Sequence, residues 1–121
     1  FKIINNTSGH TAGDELLKRL ATMLSNRLAA DNVQIARLGG DEFGVLAEST
    51  PPAEARVLAR RLLDDVREFA FEWEGRSYNL SASIGLVLID QATESVDLAM
   101  QHADEACYAA KDAGRNRVQE Y

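Results

Sequence analysis

The sequence is short of several residue types, and each shortage excludes a class of protein. It has a single cysteine, Cys107, so no internal disulfide can form, and we expect a packed thiol in a reducing compartment, the cytoplasm. It has no run of about 18 apolar residues, which argues against a membrane span. Its 13 Lys and Arg are outnumbered by 19 Asp and Glu, and the net charge of −6 argues against nucleic acid or an anionic membrane as a partner. An anionic ligand would therefore need local cations or a metal ion.

The remaining composition is typical of one globular domain. A chain of 121 residues, 45% of them hydrophobic, can bury a single core without disulfides. The chain begins without Met, inside the amphipathic segment "FKIINN". We therefore interpret residues 1–121 as one domain that is an N-terminally incomplete fragment of a longer protein.

Hydrophobic periodicity predicts three helices. In each of them apolar residues recur every three or four positions, as in a helix that buries one face. The first covers about residues 13–30, with Thr11 and Asp14 capping its first turn. The second is opened by Pro51 and Pro52, and its predicted buried residues are Ala55, Leu58, Leu62, Leu63 and Val66. The third covers about residues 95–113 and is ended by Gly114.

Alternation of apolar and polar residues predicts the strands. They are a hairpin of "VQIARL" and "EFGVLAE", a hairpin arm that turns at residues 74–76, a long strand over residues 80–89, and a short last strand in "NRVQEY". Phe69, Phe71 and Trp73 are predicted to face the core rather than to form a stacking platform. Strands mixed with helices predict an α+β fold, an α/β sandwich in which helices cover a central sheet, with a first strand expected upstream of the chain.

The stretch "RLGGDEFGVL" places two glycines and two acids where a strand would otherwise continue. Gly39 and Gly40 tolerate the positive φ of a tight turn and let a ligand approach the backbone closely. Asp41 and Glu42 then stand at an exposed tip, and paired carboxylates suit a cation such as Mg²⁺ that bridges the protein to substrate phosphates. Taken alone, the stretch is better explained as a solvated acidic turn, so the choice depends on the rest of the chain.

Two further stretches supply chemistry that complements these acids. Lys2, Lys111 and Arg115 are candidate donors for a polyphosphate, because Arg suits bidentate contact and Lys acts as a point charge. Asn5 can both donate and accept, and Asp14 can accept two hydrogen bonds from adjacent N–H groups, such as those on the pairing edge of guanine. Each residue also has an ordinary explanation, as a surface or helix-end cation or, for Asp14, as a helix cap.

Together these stretches resemble the GGDEF family of diguanylate cyclases, whose signature is intact at residues 39–43. The resemblance covers almost the whole chain, with several motifs in the family's order and spacing. They are residues 1–5, Gly9-His10, Gly13-Asp14, Arg37 before the signature, Ser83-Ile84-Gly85, Ala103-Asp104 through Tyr108, Ala110-Lys111 and Gly114-Arg115-Asn116. The resemblance implies a cyclase and polymerase-palm-like fold, in agreement with the predicted order of elements.

The resemblance also implies an activity: condensation of two GTP molecules into cyclic di-GMP, with release of pyrophosphate. The 3′-hydroxyl of each GTP attacks the α-phosphate of the other across a homodimer of such domains. Asp41 and Glu42 would be catalytic and would hold Mg²⁺ or Mn²⁺, and Asp41 would help to deprotonate the hydroxyl. Gly40 would have to stay small, because a β-carbon there would stand where the nucleotide sits.

The binding roles follow from the same resemblance. Asn5 and Asp14 would read guanine. Lys2, Lys111 and Arg115 would hold the triphosphate and stabilise the charge that develops during transfer. GTP and a second copy of the domain are thus the expected partners, with fused sensory or EAL-type domains beside them.

The chain departs from the family pattern in three places. The family's other metal-binding Asp lies a few residues before the position of Phe1. Asn6 stands where the family usually has Asp, a change that removes a charge but keeps hydrogen bonding. The family's product-inhibition motif, Arg-x-x-Asp, would fall at residues 30–33, where Ala30 and Val33 cannot do that work, so we expect no inhibition by cyclic di-GMP through that turn.

Two other functions stay open. The ending "ACYAAKDAGRNRV" looks like GGDEF domains fused to a cyclic di-GMP phosphodiesterase of the EAL type. Such a domain could be a weak or inactive module that binds GTP and regulates an attached domain. The third interpretation is an α+β interaction domain without a ligand, which would make all the motif matches accidental.

Overall fold

A computed structural model describes residues 2–28, 33–90, 93 and 95–121, with the side chains of residues 2–8 and 10 outside the description. Helices and strands alternate along the chain, as the predicted α+β class requires. In chain order they are α1 (Lys2–Leu28), β1 (Val33–Gly39), β2 (Glu42–Ala47), α2 (Pro52–Glu68), β3 (Ala70–Trp73), β4 (Arg76–Asn79), β5 (Ser83–Leu86), α3 (Val96–Asp112) and β6 (Arg117–Glu120).

These elements form two compact units. The first unit comprises Phe1–Thr50 and Glu68–Leu80, and the second comprises Pro51–Arg67 and Ser81–Tyr121. The described strands pair two by two, as β1–β2, β3–β4 and β5–β6, where the sequence predicted a central sheet. The pairing is local because each pair joins segments linked by a tight turn or by one helix.

The first helix begins earlier than its periodicity predicted. It starts at Lys2 instead of residue 13, with a break at Gly9, whose φ of 87° and ψ of 173° leave the helical region. The amphipathic segment before Gly9 is too short for its periodicity alone to predict a helix, because Ile3 and Ile4 are the only apolar residues between Lys2 and Ser8. Lys2–Leu28 is thus two helical segments joined at Gly9, and the predicted caps Thr11 and Asp14 lie near the start of the second segment.

The core of the first unit forms between α1 and the β3–β4 hairpin. Ala12, Leu16 and Phe71 are fully buried, and Phe69, Trp73, Tyr78 and Leu80 pack against them. The prediction that Phe69, Phe71 and Trp73 face the core is therefore confirmed. The hairpin turns at Glu74 and Gly75, whose φ angles of 48° and 79° fit a type I′ turn.

In the second unit β5 and β6 run parallel and are joined by α3. Ser95 caps α3 by accepting a hydrogen bond from the Leu98 N–H at 3.0 Å, close to the predicted start. The strand predicted over residues 80–89 is wrong in length: β5 ends at Leu86, which pairs with Glu120 at the end of β6. The apolar run continues to Ile89, which is 60% exposed, and none of the described strands pairs with residues 87–89.

Two other expectations about buried side chains can be compared with the second unit. The buried face of α2 consists of Ala55, Ala59, Leu62, Leu63 and Val66. Leu58, predicted in that set, is only half-buried. Cys107 packs as expected, with its Sγ 3.4 Å from the carbonyl oxygen of Ser83. Within the described ranges, no helix is both long and apolar enough to cross a membrane.

Candidate functional site

The tip of the β1–β2 hairpin carries the glycine and acid signature. β1 and β2 pair antiparallel, with Arg37 opposite Phe43 and Gly39 opposite Glu42, so Leu38 is an extra residue that forms a bulge. The turn consists of Gly40 and Asp41. Such a bulge increases the local twist of a hairpin, which sets the direction in which the tip is presented.

Gly40 combines a special backbone conformation with empty space. Its φ of 50° lies in the region that side chains rarely adopt, and a β-carbon built on it would meet nothing within 4 Å. Packing inside the protein therefore does not explain the glycine. Arg37 holds this conformation, because its Nε donates a hydrogen bond to the Gly40 carbonyl oxygen at 2.8 Å. The backbone at the tip is therefore held in place beside open space.

Asp41 and Glu42 are both exposed beside this opening. Among the residues whose placement is described, no group of three or more His, Cys, Asp and Glu could enclose a metal ion. Mg²⁺, however, commonly takes only one or two protein carboxylates and completes its shell with water and substrate phosphates. The donor set at the tip fits a substrate-bridged Mg²⁺ or Mn²⁺ and does not fit a metal held by protein alone.

The predicted guanine-reading residues lie on α1. Asp14 is exposed, while its neighbours Gly13 and Leu16 are buried, so the carboxylate points away from the core of the first unit. The side chains of Asn5 and Lys2 lie outside the description, although both residues belong to α1. Their assignments to guanine and to the triphosphate stay predictions.

Lys111 and Arg115 lie at the C-terminal end of α3, in the second unit, and both are exposed. The Gly114 N–H bonds the Lys111 carbonyl at 3.3 Å, and the Arg115 N–H bonds the Ala110 carbonyl at 2.9 Å. This pair of bonds is a Schellman motif with Gly114 at its left-handed position, φ 119°. Cations at a helix C-terminus also offset the helix dipole, so position alone does not prove a ligand.

The structure thus gathers the predicted site residues into local groups. Gly40, Asp41 and Glu42 lie together at the hairpin tip, and Lys111 and Arg115 lie on either side of the end of α3. The sequence did not reveal how these turns are held. Arg37 bonds Gly40, which is only three residues away in the sequence, so this contact could have been predicted. The turn after α3 is instead held by Arg67, which lies on α2.

Comparison with known proteins identifies the family. The model of the family described as "Diguanylate cyclase, GGDEF domain" matches residues 1–117. The chain is 44% identical over 121 residues to Probable diguanylate cyclase DgcE of Escherichia coli (strain K12), covering 100% of this chain and 11% of DgcE. It is 39% identical over 116 residues to the bifunctional diguanylate cyclase/cyclic di-GMP phosphodiesterase MucR of Pseudomonas aeruginosa, covering 96% of this chain and 17% of MucR.

A solved structure agrees at the level of the fold. Diguanylate cyclase SiaD from Pseudomonas aeruginosa, crystallised with its activator SiaC, matches with a TM-score of 0.92 and 28% identity, over 99% of this chain and 45% of that one. The chain therefore belongs to the GGDEF family, and its palm-like α+β fold is confirmed. Because it spans only 11% of DgcE and 17% of MucR, both relatives extend far beyond the matched region.

Proposed function

We propose that this chain is the catalytic domain of a diguanylate cyclase, which converts two GTP into cyclic di-GMP and two pyrophosphates. The observation that carries the proposal is the hairpin tip. Gly40 holds an unusual conformation beside open space, next to two exposed carboxylates, and nothing in the packing of the described residues requires it. A nucleotide bound at the tip gives this arrangement a purpose, and membership of the family supports that ligand.

In the proposed reaction the chain's own residues position the nucleotide and manage charge and protons. The backbone at Gly40 lets the nucleotide approach, and Asp14 with Asn5 accepts and donates hydrogen bonds to guanine. Lys2, Lys111 and Arg115 bind the triphosphate oxygens, so the charge that collects on the departing pyrophosphate is neutralised.

The chemical step is a displacement at phosphorus between two bound GTP molecules, one on each copy of the domain. The 3′-oxygen of one GTP forms a bond to the α-phosphorus of the other. The bond from that phosphorus to the oxygen that bridges the α- and β-phosphates breaks, and pyrophosphate leaves. The same step in the opposite direction closes the ring and releases the second pyrophosphate. Asp41 accepts the proton of the hydroxyl. Asp41 and Glu42 would hold Mg²⁺ or Mn²⁺, which when bound offsets phosphate charge that would otherwise repel these carboxylates.

Two further features follow from this reaction. One copy of the domain holds half of the reactants, so the proposal requires a homodimer at the moment of catalysis. The substrate and the lone free thiol of Cys107 both favour the cytoplasm, where GTP is present and thiols stay reduced.

The proposal is tested by removing one carboxylate from the tip. The full-length protein is incubated with GTP and Mg²⁺, and formation of cyclic di-GMP is compared with that of Asp41→Ala, which should be slower by at least about 100-fold. The control is Glu48→Ala, which removes an exposed carboxylate just beyond β2 and should leave the rate unchanged. Equal turnover by the wild type and Asp41→Ala would contradict the assignment.

A second candidate function is supported by one of the relatives. Cyclic di-GMP phosphodiesterase NbdA of Pseudomonas aeruginosa, to which this chain is 36% identical over 119 residues, is named for that activity alone, so a related domain occurs in a protein that is not named as a cyclase. In that setting this chain would bind GTP without turnover and regulate an attached domain. Measuring GTP affinity beside turnover separates the two functions, because binding without product favours the regulatory module.

A further inference from the structure

The turn that carries Arg115 has an unusual backbone. Gly114, Arg115 and Asn116 have consecutive φ angles of 119°, 62° and 51°, all in the left-handed region. Glycine adopts this region readily, and Asn does so more often than most residues, whereas Arg does so only when its surroundings enforce it. The Schellman hydrogen bonds explain the path as far as the Arg115 N–H, but they leave Asn116 unexplained.

Asn116 is held by a residue of another helix. Arg67, in the last turn of α2, donates from Nε to the Asn116 Oδ1 at 2.7 Å and from Nη2 to the Asn116 carbonyl oxygen at 3.2 Å. One bond fixes the side chain of Asn116 and the other fixes its peptide group. Asp64, one turn earlier on α2, contacts the Arg67 Nη1 at 3.4 Å and orients the guanidinium.

The remaining backbone group of Arg115 is also engaged. Its carbonyl oxygen accepts a hydrogen bond from the Arg117 Nε at 3.2 Å. The main chain on both sides of Arg115 is therefore fixed, while no hydrogen bond or ion pair with the described residues occupies its guanidinium. A cation presented on a fixed backbone with its donors available is suited to bidentate contact with a phosphate.

We infer that Arg67 is a positioning residue for phosphate binding: through Asn116 it holds the turn that presents Arg115 to the triphosphate. This inference rests on the proposed function, because it takes the ligand of Arg115 to be GTP. Arg67 touches no ligand itself, and its effect on binding passes entirely through the Arg115 guanidinium. Removing Arg67 should therefore weaken binding of the phosphates and leave recognition of the guanine base intact.

The experiment is a double-mutant cycle in the full-length protein. The probe is a GTP analogue with a methylene group between the α- and β-phosphates, which binds but cannot be turned over, and guanosine is the phosphate-free comparison. Arg67→Gln removes both hydrogen bonds to Asn116 and should raise the Kd of the analogue by about three- to tenfold. The Kd of guanosine should not change. In an Arg115→Gln background the same substitution should have no further effect, because Arg67 acts only through Arg115.

Two other variants serve as controls for the cycle. Arg60→Gln removes an exposed arginine from the same helix, one that makes no hydrogen bond or ion pair with the described residues, and should leave both affinities unchanged. Arg67→Lys keeps the charge beside Asp64 but not the two-pronged contact, so it should weaken binding of the analogue to an intermediate extent. Thermal unfolding is recorded for each variant, and Arg67→Lys replaces Arg67→Gln in the cycle if the latter does not fold.

The outcomes separate this inference from the proposed function. An analogue Kd unchanged by loss of Arg67, or a loss that persists undiminished in the Arg115→Gln background, would overturn the positioning role and leave the proposed function standing. A wild-type protein that binds no GTP would overturn both. A loss confined to the phosphate-bearing ligand and abolished without Arg115 supports the inference.

Discussion

A single methyl group at Gly40 can test whether the open space at the hairpin tip belongs to a ligand. In the unbound protein Gly40→Ala meets no atom within 4 Å, so its only cost is the left-handed backbone, about 1 kcal/mol of folding stability. With a nucleotide at the tip the methyl group would occupy the ligand's place. We expect GTP binding to weaken by about tenfold, or roughly 1.4 kcal/mol, measured by titration calorimetry.

Gly75 provides a matched control at the tip of the β3–β4 hairpin. Its φ of 79° is also left-handed, and its β-carbon would likewise meet nothing within 4 Å. Gly75→Ala should lower the melting temperature about as much as Gly40→Ala and leave GTP affinity unchanged. If both substitutions weakened binding equally, or neither did, the open space at Gly40 would have no connection with the nucleotide.

Gly85 has to be glycine for a different reason, because β5 packs directly against the backbone of α3 at this position. A β-carbon on Gly85 would collide with the Ala103 carbonyl oxygen and would lie 2.5 Å from the Cys107 amide nitrogen. Both are backbone atoms of a helix and cannot move aside singly. Gly85→Ala should therefore lower the free energy of unfolding by at least about 2 kcal/mol in chemical denaturation, because the strand and helix must separate.

Gly44→Ala is the control for this packing. Gly44 also lies in a strand without a left-handed φ, but the three atoms nearest to its β-carbon would all belong to the Leu38 side chain, the nearest at 3.3 Å. That side chain is half-exposed and can rotate, so the cost should be small. Equal destabilisation by Gly85→Ala and Gly44→Ala would mean that β5 and α3 lie further apart than in the structure.

The contact between α2 and β6 should make stability depend on acidity. Arg56 donates to both Glu120 oxygens, at 2.8 and 2.9 Å. This hydrogen bonding, aided by the attraction of opposite charges, holds the pKa of Glu120 below its ordinary value. Because the folded pKa is the lower one, the contribution is present above the unfolded value, about 4.3 for Glu, and is lost as pH falls through the folded value.

The difference in melting temperature between the wild type and Glu120→Gln should thus be largest near neutral pH and shrink as pH falls below about 4. Glu48→Gln, which removes an exposed carboxylate outside this contact, should show no such trend. A difference that stayed constant down to pH 2 would show that packing, and not ionisation of Glu120, links the two elements. High salt should also reduce the difference, because the pair is exposed.

The sequence predicted those elements whose buried face repeats along the chain. The start of α2 and both ends of α3 were predicted to within one residue, and the predicted core residues Leu62 and Val66 are buried. β5 was made too long because an apolar run does not show where its partner strand ends. The acids at the hairpin tip are adjacent in sequence and could be found, whereas Arg67 contacts a residue 49 positions away and leaves no local signal.

For the chain as a whole, the balance of charge limits how the proposed nucleotide would be held. Under the proposed function, a net charge of −6 repels a triphosphate at long range, so affinity would have to come from a few cations at fixed positions and from a divalent ion. The inferred role of Arg67 makes one such position, the Schellman turn, rigid. Rigid placement reduces the ordering cost of binding, which compensates for an unfavourable surrounding field.

The last prediction concerns inhibition of the proposed cyclase by its own product, cyclic di-GMP. Of the two positions that would carry the family's inhibition motif, Ala30 lies outside the described residues, and Val33 begins β1 opposite Ala47. Neither side chain can bond a phosphate or a base. Titrating cyclic di-GMP into the cyclase assay should therefore leave the rate unchanged, apart from competition that added GTP reverses.

Installing the missing groups gives this prediction its positive control. The double variant Ala30→Arg with Val33→Asp supplies the guanidinium and carboxylate, and should gain inhibition that GTP does not reverse, provided that its melting temperature shows β1 is still paired. Tight, non-competitive inhibition of the wild type, lost on changing residues 30–33, would contradict the prediction. Since residues 30 and 33 are not part of the signature at residues 39–43, a gain of inhibition without loss of initial rate would also show that regulation and catalysis are carried by separate residues.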